Sequence, residues 1–196
     1  MVVVDEAELK RLHRTGEYRE VATIALDRYG AELFGFLVHV MGNEGDATEV
    51  FGELGESLWT ALPAFEFRCS TRTWLYVLAR HAAARFRRSP WRRRAGESQL
   101  DDVIARVHSR TAPWLRTDVK DKFATLRDAL PPEDRELLVL RVDRDLPWED
   151  VARVMLGGEA PSEAELRTES ARLRKRYQLL KDDLRQRAIE AGLVER

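Results

Sequence analysis

From Tyr18 to Met41 the apolar residues Val21, Ile24, Ala25, Leu33, Phe34, Leu37 and Met41 recur at spacings of three and four, which only an α-helix gathers onto one face. The same period governs almost the whole chain, and no stretch of any length alternates with the period of two that a half-buried strand needs. Gly42-Asn43 ends the first long helix. A second fits Asp46 to Leu62, with Val50, Leu54, Leu58 and Leu62 in line and Pro63 as its stop. Its internal glycines, Gly52 and Gly55, each cost about 1 kcal/mol relative to alanine. A third fits Ser70 to Arg88, with Trp74, Leu75, Leu78 and Ala82 inward, closed by Ser89-Pro90. The pattern predicts an all-α fold.

Trp91 to Thr117 reads as a linker, mixed in charge and broken by Gly96 and Pro113, although Leu100, Val103, Ile104 and Val107 admit a short helix. Helical periodicity resumes over Asp118 to Leu130, halts at Pro131-Pro132, continues through Glu133 to Val142, and restarts after Leu146-Pro147 for Trp148 to Leu156. The expected organisation is two helical domains, residues 1–90 and 118–196, joined by 91–117. The final helix opens on a capping box, Ser162-Glu163-Ala164-Glu165. Behind it Leu166, Ser170, Leu173, Tyr177, Leu180 and Leu184 form an apolar face. Opposite lie Glu165, Thr168, Arg172 and Lys175, flanked by Arg167, Arg174 and Arg176. A short helix, a loop holding Gly157-Gly158 and a longer basic helix is the order of a helix-turn-helix, whose second helix enters the DNA major groove. The leucine ladder fits a coiled-coil arm as well, and this segment alone leaves both readings open.

Net charge is −1, which conceals a segregation: Tyr29 to Phe67 holds seven carboxylates and no lysine or arginine, whereas Arg68 to Arg94 holds nine arginines and no carboxylate. Such blocks predict a negative face beside a positive one, and nucleic acid is the natural partner for the second; ordinary solvated helix faces are the plainer reading. The single cysteine, Cys69, excludes an internal disulfide, and His13, His39, His81 and His108 are too scattered for a metal site. No nucleophile with its base, phosphate-cradling glycine loop or paired-carboxylate site is present, so neither catalysis nor a cofactor is expected. The start turns acidic at Asp5 and no apolar run approaches the length of a membrane span. A cytoplasmic protein is therefore expected. Trp74 and Tyr76 could stack on bases, but at helical spacing beside Leu75 and Leu78 they read more readily as core, as do Trp59, Trp148 and Tyr177.

The order of motifs decides between these readings. Asp46-Ala47-Thr48-Glu49-Val50 through Leu58-Trp59-Thr60-Ala61-Leu62-Pro63-Ala64-Phe65, then Ser70-Thr71-Arg72-Thr73-Trp74-Leu75-Tyr76-Val77-Leu78-Ala79-Arg80-His81, resembles the second conserved region of bacterial RNA polymerase sigma factors. The small extracytoplasmic-function (ECF) group is the nearest in pattern. Their promoter-reading domain is similar to Leu130-Pro131-Pro132-Glu133 through Arg141, Leu146-Pro147-Trp148 through Ala152, and the capped helix from Ser162. The resemblance covers roughly residues 6–88 and 118–187.

The resemblance implies a transcription initiation factor that binds core RNA polymerase and promoter DNA, with an anti-sigma factor as a further possible partner and no membrane insertion. It makes Glu49, Glu53 and Trp59 candidate polymerase contacts. It places Thr71 and His81 beside a pocket for an extruded base of the minus-ten element, with Arg72, Arg80, Arg85, Arg87 and Arg88 on the DNA-binding helix. In the C-terminal domain it makes Thr168 and Arg172 base-reading candidates for the minus-thirty-five element, with Arg167, Arg174, Lys175 and Arg176 toward phosphate. The sequence departs from the family at His81, where asparagine is commoner, at Gly52 and Gly55, and in a longer turn over Leu156 to Pro161. The other reading is a helical interaction protein of this architecture that binds a protein partner without initiating transcription.

Overall fold

The computed structural model describes residues 6–88, 102–107, 126–127, 129–157 and 160–193. Every regular element among them is helical. The chain divides into two compact units, Met1–Leu115 and Arg116–Arg196.

In the first unit α1 (Glu6–Arg14) packs on α2 (Tyr18–Met41), and α2, α3 (Glu44–Ala61) and α4 (Thr71–Arg88) pack on one another. The period predicted α2 to the residue. Its end is set by Gly42, which takes a left-handed φ of 79° and returns its N–H to Val38 O. The second helix starts two residues earlier than the apolar pattern suggests, because the Asn43 side chain accepts from Asp46 N–H and so supplies the N-cap. Pro63 lies in a 3-10 turn, Leu62–Ala64, that ends α3. Phe34 meets Phe51 edge to face at 5.7 Å, and Phe36 meets Tyr76 likewise at 5.3 Å, the offset geometry aromatic quadrupoles favour. These rings, with Leu33, Leu37, Leu54, Leu58 and Leu75, are fully buried.

Within the expected linker, residues 102–107 form a short helix, α5, which belongs to the first unit. Val103 and Val107 are buried, and the Val107 methyls lie where a Cβ on Gly30 would sit, at 2.7 and 2.8 Å. Arg106 reaches Asp27 at 3.5 Å. Burying a valine contributes about 1.5–3 kcal/mol, and ordering the short segment costs roughly 1 kcal/mol per residue. Docking of α5 is therefore balanced near zero. The rest of 91–117, and the helix expected over Asp118 to Leu130 apart from 126–127 and 129–130, lie outside the described residues.

In the second unit α6 (Pro132–Leu138) continues into a π-helical turn, Val139–Asp143, where an uninterrupted α-helix to Val142 was expected. Asp145 follows at a left-handed φ of 48°, a conformation aspartate tolerates better than most residues. Then come α7 (Trp148–Leu156) and α8 (Glu163–Glu190). Leu130, Leu138 and Leu180 form a core with Tyr177 and Leu184 against it. The Ser170 hydroxyl donates to Trp148 O at 3.2 Å, fixing α8 to the start of α7.

Candidate nucleic-acid and protein interfaces

Packing α2 against α4 pairs one arginine of the basic block with one carboxylate of the acidic block. Arg72 makes a two-pronged pair with Glu32, Nε to Oε1 at 2.7 Å and Nη2 to Oε2 at 2.9 Å. That hydrogen bond outweighs burial and raises the Arg72 pKa further above its ordinary value. Arg85 donates to Ser57 Oγ on α3 at 2.6 Å, and Arg87 donates to Val40 O on α2. Arg80 and His81 are half-buried, and Arg88 is exposed at the end of α4. Three of the arginines expected on DNA thus bond to a neighbouring helix of the unit, while Arg85 and Arg87 remain exposed. Arg92, Arg93 and Arg94 lie outside the described residues.

Thr71 is buried, and both its N–H and its hydroxyl donate to Glu6 Oε1, at 2.8 and 2.7 Å. The carboxylate of α1 thereby caps the first turn of α4 from a distance, beside the local cap that Ser70 Oγ provides to Thr73 N–H at 3.0 Å. Thr71 thus faces α1 and not solvent. The preceding loop is held by rings. Phe65 stacks on Trp74 at 4.1 Å, and Phe67 meets Phe65 at 4.4 Å and His13 at 5.1 Å. Phe67 has a left-handed φ of 55°, unusual for a bulky side chain and offset here by those contacts. Trp74 keeps partial exposure, and the core reading of it holds for one ring face.

On α3, Glu49, Glu53 and Glu56 succeed one another at spacings of four and three, so like charges share one stripe. Glu49 Oε2 is buried with no hydrogen bond among the described residues. Burial pushes the Glu53 carboxyl above its ordinary pKa; Arg85 opposes this, and Glu56 and Glu49 add to it. The stripe costs the fold something and gains little from it. Trp59 is half-buried one turn further along.

On α8 the capping box is complete: Glu165 N–H donates to Ser162 Oγ at 3.3 Å, and Ser162 N–H and Oγ–H donate to Glu165 Oε2 at 2.8 and 2.7 Å. The hydroxyl first, and the amide after it, hold the Glu165 carboxyl below its ordinary pKa. Arg167, Thr168, Arg172, Arg174 and Lys175 are exposed. Arg172 carries a two-pronged bond to Glu169 at 2.8 and 2.6 Å, and the Arg174 guanidinium lies over Trp148 at 5.9 Å. Arg176 departs from the expected face. Its Nε donates to Asp134 Oδ1 at 2.6 Å and its Nη1 to Glu133 Oε2 at 2.7 Å, so it pins α8 to α6. Gly157, at φ 64°, ends α7, and residues 158–159 of the turn lie outside the described residues. A groove between α7 and α8 is lined by Glu149, Glu163, Leu166, Arg167, Ser170 and Arg174.

The described residues include no cluster of His, Cys, Asp or Glu that could hold a metal ion, and no helix among them is long and apolar enough to cross a membrane. Residues 25–93 match the Sigma-70 region 2 family. The RNA polymerase sigma-H factor of Pseudomonas aeruginosa is 27% identical over 160 residues, which covers 77% of this chain and 82% of that relative.

Proposed function

We infer the division of labour within this chain from the premise that it belongs to the RNA polymerase sigma factors, and hence acts in transcription initiation. The match over residues 25–93 carries that premise. Sigma factors bind core polymerase and promoter DNA and do no chemistry of their own. The finer reading is that the first unit binds polymerase through α3 and engages the minus-ten element through α4, while the second reads the minus-thirty-five element through α8. Work on polymerase and DNA makes the cytoplasm its compartment. The ECF group fits the chain's two-unit organisation.

For α3 the support is energetic: a self-repelling stripe with an unsatisfied buried oxygen suits a partner that brings cations or N–H donors. For α4 the support is the exposed end of the helix, where Arg85, Arg87 and Arg88 all reach the surface, although Arg72, Arg85 and Arg87 also hold bonds within the unit. For α8 it is the exposed stripe Thr168, Arg172 and Lys175 on the face opposite the buried leucines. Reconstitution with core polymerase tests the whole reading. Saturable binding together with run-off transcript from selected promoters is expected, and binding without promoter-directed transcript would refute it.

A finer test uses Glu53. Its folded pKa is raised, so the unfolded chain ionises it more readily, and its unfavourable contribution sets in as pH rises from the unfolded toward the folded pKa. Glu53→Gln should therefore leave the neutral-pH fold unharmed or more stable, by under about 0.5 kcal/mol, and should flatten stability across the acidic range. Polymerase affinity should fall in the same variant. Loss of both stability and affinity would mean that Glu53 serves the fold.

A further inference from the structure

We propose that Trp148 is the positioning residue for Arg174: its indole orders that guanidinium ahead of contact and leaves its charge unopposed for a DNA backbone phosphate. The inference rests on the reading above that α8 engages promoter DNA.

The arginines of α8 are held in two different ways. Arg167 lies 3.7 Å from Glu163, Arg172 is forked onto Glu169, and Arg176 is bound to Asp134 and Glu133. A carboxylate that close offsets attraction to a phosphate. Arg174 is exposed, makes no ion pair among the described residues, and sits instead over the Trp148 ring, its guanidinium carbon 5.9 Å from the ring centre. A ring face attracts the cation through its quadrupole and neutralises none of its charge, and the fork of N–H donors stays open to an acceptor. A freely rotating arginine gives up its rotamer freedom when it seizes a phosphate, at a cost in affinity. Arg174 has lost part of that freedom already on folding.

The platform is itself fixed, by bonds that do not involve Arg174. Trp148 opens α7 behind Pro147, and its carbonyl accepts from the Ser170 hydroxyl on α8 at 3.2 Å. Tyr177 meets the indole at 5.5 Å with the ring planes 66° apart. The Arg141 guanidinium also lies over the ring, at 5.3 Å, but is committed elsewhere, since it donates to Asp145 Oδ1 at 2.9 Å and to Leu146 O at 3.0 Å. Of the two cations on this ring, Arg141 is tethered and Arg174 is available. Glu149 and Glu163 line the groove beside Arg174 without pairing with it. They disfavour a phosphate deep between the helices and leave the exposed rim of α8 as the place of contact. Trp148 reads as core from its spacing, yet it is only half-buried, as a ring that serves this rim must be.

A double-mutant cycle on the full chain, assembled into holoenzyme, separates this role from packing. Affinity for a duplex carrying a selected promoter is measured over a range of salt for the wild type, Arg174→Ala, Trp148→Met and the pair, once circular dichroism and holoenzyme assembly match the wild type. Arg174→Ala should flatten the salt slope by about 0.9. Trp148→Met should weaken binding about fourfold with the slope unchanged, since the phosphate contact survives and only its prior ordering is lost. In the Arg174→Ala background the same change should weaken binding by less than about 1.5-fold. Trp148→Phe keeps a ring and should bind within about twofold of the wild type. Should Trp148→Met fold poorly, fluorinated tryptophan at position 148 keeps the shape and drains the ring face of negative charge; affinity should then fall with each added fluorine when Arg174 is present and not in Arg174→Ala. No loss, or equal losses in both backgrounds, overturns the inference, for Trp148 then does nothing for Arg174 or acts through the fold or on DNA directly. An unchanged salt slope in Arg174→Ala overturns it as well, because no phosphate is met, and in each of these cases the initiation reading stands. A wild-type holoenzyme with no preference for the selected promoter removes that reading and this inference together.

Discussion

Glu6→Ala should destabilise the first unit by about 2–4 kcal/mol, because it leaves two buried donors on Thr71 without an acceptor. Thr71 is 1% exposed and both its N–H and its hydroxyl point to one carboxylate oxygen. Glu6→Gln keeps an acceptor and loses only the charge, so it should cost under half as much. Thermal unfolding followed by circular dichroism should show the melting temperature falling by about 8–16 °C in the alanine variant, at about 4 °C per kcal/mol for a unit slightly above 100 residues. Exchange at the first-turn amides of α4 should accelerate at the same time. A change of under about 0.5 kcal/mol would mean that Thr71 finds other partners and that α1 is packing, not a cap.

The same variant speaks to promoter melting. If the α4 start must accept an extruded base, the Glu6 contact is in its way, and Glu6→Gln should bind single-stranded minus-ten oligonucleotide at least as well as the wild type despite its lower stability. If Thr71 is purely structural, affinity should follow stability downward.

What the sequence disclosed and what it withheld divides by distance along the chain. The bounds of α2 and α7, and the capping box at Ser162, depend on residues within a few positions of one another: Gly42 after a periodic run, Pro147 before one, serine and glutamate three apart. The pairs that locate the functional side chains are remote, with Glu6 and Thr71 separated by 65 residues, Glu32 and Arg72 by 40, Asp134 and Arg176 by 42. Charge blocks announce that such pairs are available, but their register depends on how three helices pack, which periodicity alone does not fix. That is why the sequence gives no sign that Arg72, Arg85 and Arg87, read there as a DNA surface, also bond to neighbouring helices. Phe67 gave no sign of its left-handed backbone, since the signal for that conformation is glycine or asparagine and its compensation comes from rings at positions 13 and 65. The π-helical turn was equally silent. Val103 and Val107 were visible as a possible helix, whereas the small residue that receives Val107, Gly30, becomes meaningful only once the two are seen in contact.

The charged face of α8 gives the second large effect, in a pair of neighbouring residues that sequence treats alike. Arg176→Ala should destabilise the second unit by about 1–3 kcal/mol, for it strips two short charge-assisted bonds and leaves the half-buried Asp134 carboxylate without its cation. Asp134 side-chain exposure is 16% and that of Arg176 is 28%, so solvent screens this pair less than a surface one. DNA affinity should drop with it, yet the salt slope of the binding that remains should not change, because no phosphate contact is lost. Lys175→Ala should do the reverse: stability within about 0.5 kcal/mol of wild type, and a salt slope flatter by about 0.9 if that ammonium meets a phosphate. Thr168→Ala and Arg172→Ala, further toward the cap, should relax preference at single base pairs, Arg172 by about 1–3 kcal/mol if it leaves Glu169 for a guanine edge. Glu169→Gln then becomes informative, since it loosens that guanidinium without removing it. Affinity that survives alanine at Thr168, Arg172 and Lys175 together, in a unit shown by circular dichroism to be folded, would remove α8 from the DNA interface and leave it as the element that Arg176 holds in place.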